Sequence, residues 1–127
     1  MSDTKKTILV VDDEPDMVEF LVTFFQDNGF NVLTASDGKE CLEKVKDVRP
    51  DLITLDITMP EESGVRAFRN IQESPDTKDI PVVIITGIAK DFRQFIHSRK
   101  KVEPPAAYFE KPIDKDALLN KVKEILA

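Results

Sequence analysis

Five short apolar segments alternate with segments of helical periodicity, and this alternation constrains the fold more than any other feature of the chain. The first segment, 8–11, is a continuous run of Ile, Leu and Val, which is typical of a strand buried on both faces. Similar strand segments are predicted at 31–35, 51–55, 81–85 and 106–109. Because parallel strands need helical crossovers between them, the alternation predicts an α/β fold.

Residues that begin or end helices support five helical segments, four of them between strands and one after the last strand. Pro15 stands where a first helix can begin, and Asn28 and Gly29 are placed to end it. Asp37 and Asp114 are predicted to cap the second and the last helix. The two remaining helices are predicted over about 65–73 and 90–102. Right-handed crossovers then favour a doubly wound five-stranded parallel sheet in the order 2-1-3-4-5, covered by five helices.

Length and composition limit the classes of function. The chain has 127 residues, which fits one domain over 1–127, and its formal net charge is −6, which argues against nucleic acid as a direct partner. The single cysteine, Cys41, is predicted to pack inward, and one cysteine cannot form an internal disulfide, which fits a reducing compartment. No apolar run approaches the roughly 20 residues of a membrane helix. We therefore expect a cytoplasmic protein without membrane insertion.

Polar side chains follow the predicted strands where each one ends. Asp12 and Asp13 follow the first strand, Asp56 the third, Thr86 the fourth and Lys111 the fifth. In the 2-1-3-4-5 order the first and third strands are neighbours, so the three aspartates are predicted to meet at one rim of the sheet. Their mutual repulsion would be relieved by a hard divalent cation such as Mg²⁺, Ca²⁺ or Mn²⁺.

The same rim has parts that suit a phosphoryl group. A Lys111 ammonium can pair with a phosphoryl oxygen, and the Thr86 hydroxyl and Gly87 N–H can donate further hydrogen bonds. An aspartate carboxylate is a nucleophile for phosphoryl transfer. Mg²⁺ usually binds one or two carboxylates together with phosphate oxygens, so it fits this site best.

Together these segments resemble the receiver domain of bacterial two-component response regulators, over about 7–127. The matching pieces are Ile8-Leu9-Val10-Val11-Asp12-Asp13-Glu14, Pro50-Asp51-Leu52-Ile53, Leu55-Asp56-Ile57-Thr58-Met59-Pro60, Gly64, Pro81-Val82-Val83-Ile84-Ile85-Thr86-Gly87 and Lys111-Pro112. Each piece alone is a weak signal, whereas all of them in order are specific. The resemblance implies a flavodoxin-like fold, in agreement with the alternation.

The resemblance implies a role for each acidic residue at the rim. Asp56 matches the phosphoacceptor, which takes its phosphoryl group from a sensor histidine kinase, a phosphotransfer protein or a small phosphodonor. Asp13 matches the direct ligand of Mg²⁺, Asp12 matches the residue that reaches the metal through water, and the Thr58 carbonyl completes the ligand set. The family assists its own phosphorylation and dephosphorylation, and the chain is not expected to be an enzyme otherwise.

The resemblance also implies a relay to a downstream protein target. Lys111 would pair with the phosphoryl group, in a Lys111-Pro112 peptide that is typically cis. Thr86 would shift toward the phosphoryl group, and Tyr108 would turn inward with it. Ile88 is apolar and cannot orient an attacking water, which predicts slow self-dephosphorylation.

Departures from the family pattern concern the usual partner surface, which the fourth helix, the fifth strand and the last helix form in this family. Glu61 and Ser63 replace the more usual Gly and Asp, and the segment 101–106 replaces the usual Gly-Ala turn before the fifth strand. The oligomeric state is left open, because receiver domains can form homodimers through this surface.

Several of these residues also have a simpler structural explanation. An isolated Asp12-Asp13 pair more commonly caps a helix, Tyr108 would be an ordinary strand aromatic, and His97 fits a helix surface. A basic cluster is expected to be solvated, with an acidic partner as the alternative; it comprises Arg93, Arg99, Lys100 and Lys101.

Four functional hypotheses are compared; the requirements of the third, a hydrolase, are not evident in the sequence, and the fourth, a flavin carrier, is set aside. The first two are a stand-alone switch and a receiver trimmed from a longer regulator with a DNA-binding or enzymatic output; a chain that ends just after its last helix fits both. A hydrolase with the same carboxylates would need a second acid or base and a cap domain. A flavin carrier would need a Ser/Thr/Gly-rich loop where Asp12, Asp13 and Glu14 stand.

Overall fold

The computed structural model describes residues 5–56, 63–86, 106–110 and 113–127. Several predictions fall on other residues and lie outside the described part of the chain. They concern the helix over 90–102, the basic cluster, and the residues Thr58, Glu61, Gly87, Ile88, His97, Lys111 and Pro112.

Five strands form one parallel sheet. They are β1 (Thr7–Val11), β2 (Asn31–Ala35), β3 (Leu52–Asp56), β4 (Val82–Thr86) and β5 (Ala107–Glu110). Their order is β2-β1-β3-β4-β5, which confirms the predicted topology. In the described residues the helices are α1 (Pro15–Asp27), α2 (Gly38–Asp47), α3 (Ser63–Glu73) and α4 (Lys115–Leu126). No helix among these is long and apolar enough to span a membrane.

The central strands are apolar on both faces because helices cover both faces. Leu9 and Val11 of β1 belong to a core cluster with Cys41 of α2 and residues of α3. Ile8 and Val10 belong to the opposite cluster, together with α1 and α4 residues. Successive side chains of a strand point to opposite faces of the sheet, and helices bury both faces. This explains why the apolar run in β1 is continuous rather than alternating.

The predicted helix ends are confirmed. Pro15 occupies the first turn of α1, which ends at Asn28, and Gly29 follows with φ of +90°, a conformation that glycine adopts without strain. The Asp37 Oδ1 accepts a hydrogen bond from the Glu40 N–H at 2.8 Å. The Asp114 Oδ1 accepts one from the Ala117 N–H at 3.1 Å. These bonds satisfy amide groups that a helix cannot pair internally.

Several predicted boundaries differ from the structure by one or two residues. The third strand begins at Leu52 rather than Asp51. The Asp51 N–H donates to the Thr7 carbonyl at 2.8 Å, and the Asp51 carboxylate accepts the Thr7 N–H at 2.8 Å. The fourth strand begins at Val82, after Pro81, which has no N–H to donate. The first strand begins one residue earlier than predicted, the fifth strand is shifted one residue onward, and α3 begins at Ser63 rather than at 65.

Candidate functional site

Strand register brings the predicted aspartates together. Val11 of β1 pairs with Leu55 of β3, so the residues that follow them, Asp12 and Asp56, are neighbours at the carboxyl ends of adjacent strands. Asp12 is 2% exposed and Asp56 is 3% exposed, whereas Asp13 is exposed. The cluster thus combines two buried carboxylates with an exposed one.

Backbone contacts hold Asp12 in place. Its N–H donates to the Ala35 carbonyl at 3.1 Å, which continues the β1–β2 pairing by one residue. Its Oδ1 accepts the Glu14 N–H at 2.9 Å, so the side chain shapes the turn into α1. Glu14 itself is the N-cap of α1 and makes no side-chain cap bond. The simpler explanation of Asp12 and Asp13 as N-caps is therefore wrong.

The three carboxylates are close enough to share one cation. Each of Asp12, Asp13 and Asp56 offers an oxygen, and these oxygens lie within 4.8 Å of one another. Opposite ligands of Mg²⁺ are about 4.2 Å apart, from metal–oxygen distances near 2.1 Å. A small inward rotation, or a bridging water, brings the oxygens into that range. The donor set consists only of hard carboxylate oxygens and fits Mg²⁺.

The structure places two further predicted residues on neighbouring strands. Asp56 of β3 pairs with Ile85 of β4. Thr86 is the next residue along β4 and the last one in that strand. Tyr108 of β5 pairs with Ile84 and packs, partly buried, against the cluster that covers one face of the sheet. The roles predicted for these two residues stay predictions.

A cleft beside the aspartates was not predicted. It has a volume of about 420 Å³ and lies between α1, the end of β2 and α2, with Asp12 and Asp13 in its lining. Glu19 of α1 and Glu40 of α2 also line it. The signal for this cleft in the sequence is weak: α1 contains acidic residues but no lysine or arginine.

A comparison with protein families gives a match over most of the chain. The model of the response regulator receiver domain matches residues 8–123. The chain belongs to this family. It is thus a receiver domain of the kind found in two-component response regulators, which are signalling proteins.

Individual relatives agree with the family. PilH of Pseudomonas aeruginosa is 30% identical over 120 residues, which cover 94% of this receiver domain and 97% of PilH. The alkaline phosphatase synthesis transcriptional regulatory protein PhoP of Bacillus subtilis is 31% identical over 95% of this chain, which spans only 48% of PhoP.

A solved relative shares the fold. The response regulator TrrA of Thermotoga maritima, whose crystal structure is a complex with Mg²⁺-BeF, superposes with a TM-score of 0.79. It is 35% identical, and the match covers 95% of this chain and 99% of that one.

Proposed function

We propose that this receiver domain is a phosphorylation switch in which Asp56 accepts a phosphoryl group in a reaction that needs Mg²⁺. The observation that carries the proposal is the cluster itself. Asp56 is buried, and its carboxylate lies within 4.8 Å of oxygens from Asp12 and Asp13 at the open rim of the sheet. A hard divalent cation would offset the mutual repulsion of these carboxylates, and the group suits phosphoryl chemistry once a cation is bound.

The Asp56 carboxylate is the nucleophile of the proposed reaction. One of its oxygens forms a bond to phosphorus while the bond from phosphorus to the donor breaks, and the electron pair of that bond leaves with the donor. With a phosphohistidine the leaving group is the imidazole, which takes up a proton; with acetyl phosphate it is acetate. Asp12 and Asp13 would hold the Mg²⁺, which supplies neutralisation of the phosphoryl charge.

The remaining site residues are carried over from the family and stay predictions. Thr58 would add a carbonyl ligand to the metal, and Lys111 would pair with the phosphoryl group. Thr86 and Tyr108 would relay the change to a partner surface. The positions of Thr86 and Tyr108 on β4 and β5, next to the strand that carries Asp56, support this assignment.

Relatives support the choice of metal and of partners. The Mg²⁺-BeF complex of TrrA supports Mg²⁺ as the metal of this chain. We propose a sensor histidine kinase or a phosphotransfer protein as the donor, a protein target for the output and a cytoplasmic location. The chain spans 97% of PilH but only 48% of PhoP, so the same domain occurs in relatives of different length.

Intact-mass spectrometry tests the proposal directly. The full chain is incubated with acetyl phosphate and Mg²⁺, beside an EDTA sample and an Asp56→Asn variant. An Asp16→Asn variant is the matched control, because Asp16 lies in the first turn of α1 outside the aspartate cluster. The expected result is one phosphoryl adduct on the wild type and on Asp16→Asn.

The two remaining samples decide the site and the metal. EDTA and Asp56→Asn should each abolish the adduct, and hydroxylamine should remove it from the wild type, because an acyl phosphate is cleaved by that nucleophile. An adduct that persists on Asp56→Asn would place the phosphoacceptor elsewhere. A wild type that stays unmodified while it binds Mg²⁺ would reject the proposed switch chemistry.

A further inference from the structure

The cleft beside the aspartate cluster has two kinds of wall. Val18 and Val22 of α1 and Ala35 of β2 form an apolar side. Glu19 and Glu40 add carboxylates from the two helices that flank it. A cavity of about 420 Å³ with an apolar wall and a few polar groups is within the size range of ligand sites in proteins.

The charged groups that line the cleft in the described part of the chain have one sign. They are the four carboxylates of Asp12, Asp13, Glu19 and Glu40, and no lysine or arginine is among the described lining residues. Helix α1 adds Asp16 and Asp27 along its length and has no basic residue in its last turn or elsewhere. A bound divalent cation would neutralise part of the charge at the aspartate cluster but would leave the outer part of the cleft acidic. A positively charged group therefore complements this surface.

One of the carboxylates that line the cleft, that of Glu40, is fixed in position. The Glu40 Oε1 accepts the Ser36 N–H at 2.6 Å and the Ser36 hydroxyl at 3.2 Å. A carboxylate held by its own chain loses little conformational entropy when a partner binds, so it is a suitable contact for an incoming cation. A long basic side chain can place its methylene stem along the apolar wall while its charged head reaches the carboxylates.

The position of the cleft decides which partner would meet it. A protein that delivers a phosphoryl group must bring the phosphorus to about 3 to 3.5 Å from the Asp56 oxygen. Even a small specific interface buries roughly 600 Å² on each partner, a patch of roughly 14 Å radius. Asp12 belongs both to the aspartate cluster and to the cleft lining, so such a patch covers the cleft as well.

We propose that the cleft receives an arginine or lysine side chain from the protein that phosphorylates Asp56, and that Glu19 and Glu40 select donors with a basic residue there. This proposal rests on the proposed function, because it assumes a protein phosphodonor. The donor would carry a positive charge at this place, and Glu19 and Glu40 would contact that charge. A donor with an acidic residue at the same place would be disfavoured by repulsion.

A titration followed by NMR tests the cleft. The isotope-labelled full chain, with saturating Mg²⁺, is titrated with a short alanine-based helical peptide that carries one central arginine. A citrulline peptide of the same sequence is the neutral control. The expected result is a saturable shift of the Val18, Val22 and Ala35 amides with the arginine peptide and none with the citrulline peptide. Arginine methyl ester should bind more weakly, because no helix presents the side chain.

Matched variants assign the carboxylates. Glu19→Gln and Glu40→Gln should each weaken peptide binding roughly threefold, and the double variant roughly tenfold, the range of exposed ion pairs. Glutamine keeps the acceptor that Ser36 needs. Glu43→Gln, on an exposed position of α2 outside the cleft, should leave the affinity unchanged. Equal weakening by Glu43→Gln, equal binding of the citrulline peptide, or shifts confined to other surfaces would overturn the proposal.

The labelling experiment with acetyl phosphate separates this proposal from the proposed function. Acetyl phosphate has no side chain that could enter the cleft, so labelling of the wild type reports on Asp56 chemistry alone. If labelling succeeds and the peptide does not bind in the cleft, only the donor contact is wrong. If labelling fails, the role of the cleft as a donor contact is rejected together with the switch, whatever the peptide does.

Discussion

Removal of one charge from the aspartate cluster should stabilise the metal-free protein. Asp13 is the suitable residue, because it is exposed, whereas Asp12 and Asp56 are buried. Asp13→Asn eliminates two of the three repulsive pairs. At 4.8 Å each pair costs about 0.9 kcal/mol in water and about 3.5 kcal/mol at an effective dielectric constant of about 20. Solvent around Asp13 favours the lower value, so we expect a gain of about 2 kcal/mol in the free energy of unfolding.

Mg²⁺ should reverse much of this difference. Binding at ten times the dissociation constant stabilises the folded wild type by about 1.4 kcal/mol. The variant has lost a carboxylate from the site and should gain less. Urea unfolding followed by circular dichroism, at low ionic strength, measures both effects as shifts of the midpoint at an unchanged slope. The advantage of Asp13→Asn should thus be largest in EDTA and shrink as Mg²⁺ is added.

Asp16→Asn provides a control of opposite sign. Asp16 lies in the first turn of α1, where a negative charge interacts favourably with the helix dipole. Its loss should cost about 0.5 kcal/mol, with or without Mg²⁺. The reasoning about the cluster is refuted if Asp13→Asn is no more stable than the wild type in EDTA, or if Mg²⁺ stabilises both proteins equally.

Three further predictions follow from single buried groups. Thr54 is 1% exposed and its hydroxyl has no hydrogen-bond partner among the described residues, so Thr54→Val should raise the free energy of unfolding by about 1 kcal/mol in urea titrations. Thr77 is equally buried but donates to the Ile71 carbonyl at 2.6 Å, so Thr77→Val should lower it by about 2 kcal/mol in the same assay; equal effects at both sites would contradict this reasoning. Burial raises the pKa of the Cys41 thiol from 9.0 to about 12, so the unfolded chain loses this proton first and stability should fall as the pH rises from about 9 toward 12. Unfolding midpoints across that pH range should fall less steeply for Cys41→Ala than for the wild type, and native Cys41 should resist alkylation at neutral pH until the chain unfolds.

The strand order was predictable because the chemistry of the chain leaves few alternatives. Continuous apolar runs such as 8–11 require a strand covered on both faces, and the helices between the runs impose parallel pairing. Local signals also placed the helix ends correctly, since Pro15, Asp37 and Asp114 act through neighbouring amides or a fixed backbone angle. The aspartate rim followed from the strand order alone.

The remaining features depend on tertiary contacts that no local pattern encodes. The cleft joins Glu19 on α1 to Glu40 on α2 across the end of β2, and nothing in either helix predicts that pairing. Asp12 resembled a helix cap in isolation, but the register of β1 with β3 makes it a buried member of the cluster. Thr54 occupies the same face of the sheet as apolar neighbours, and its sequence position alone does not reveal that its hydroxyl has no hydrogen-bond partner among the described residues.

The hydrogen bond between Thr7 and Asp51 lies at the amino ends of β1 and β3, whereas the aspartate rim lies at their carboxyl ends. The Thr7 N–H donates to the Asp51 carboxylate at 2.8 Å. Thr7 is the first residue of β1, and Asp51 immediately precedes β3. The chain therefore enters the domain a full strand length away from Asp12 and Asp56. An affinity tag or a surface linker joined ahead of Thr7 would hold the protein by its far side, so a sensor chip that captures it there would leave the rim facing the flowing solution.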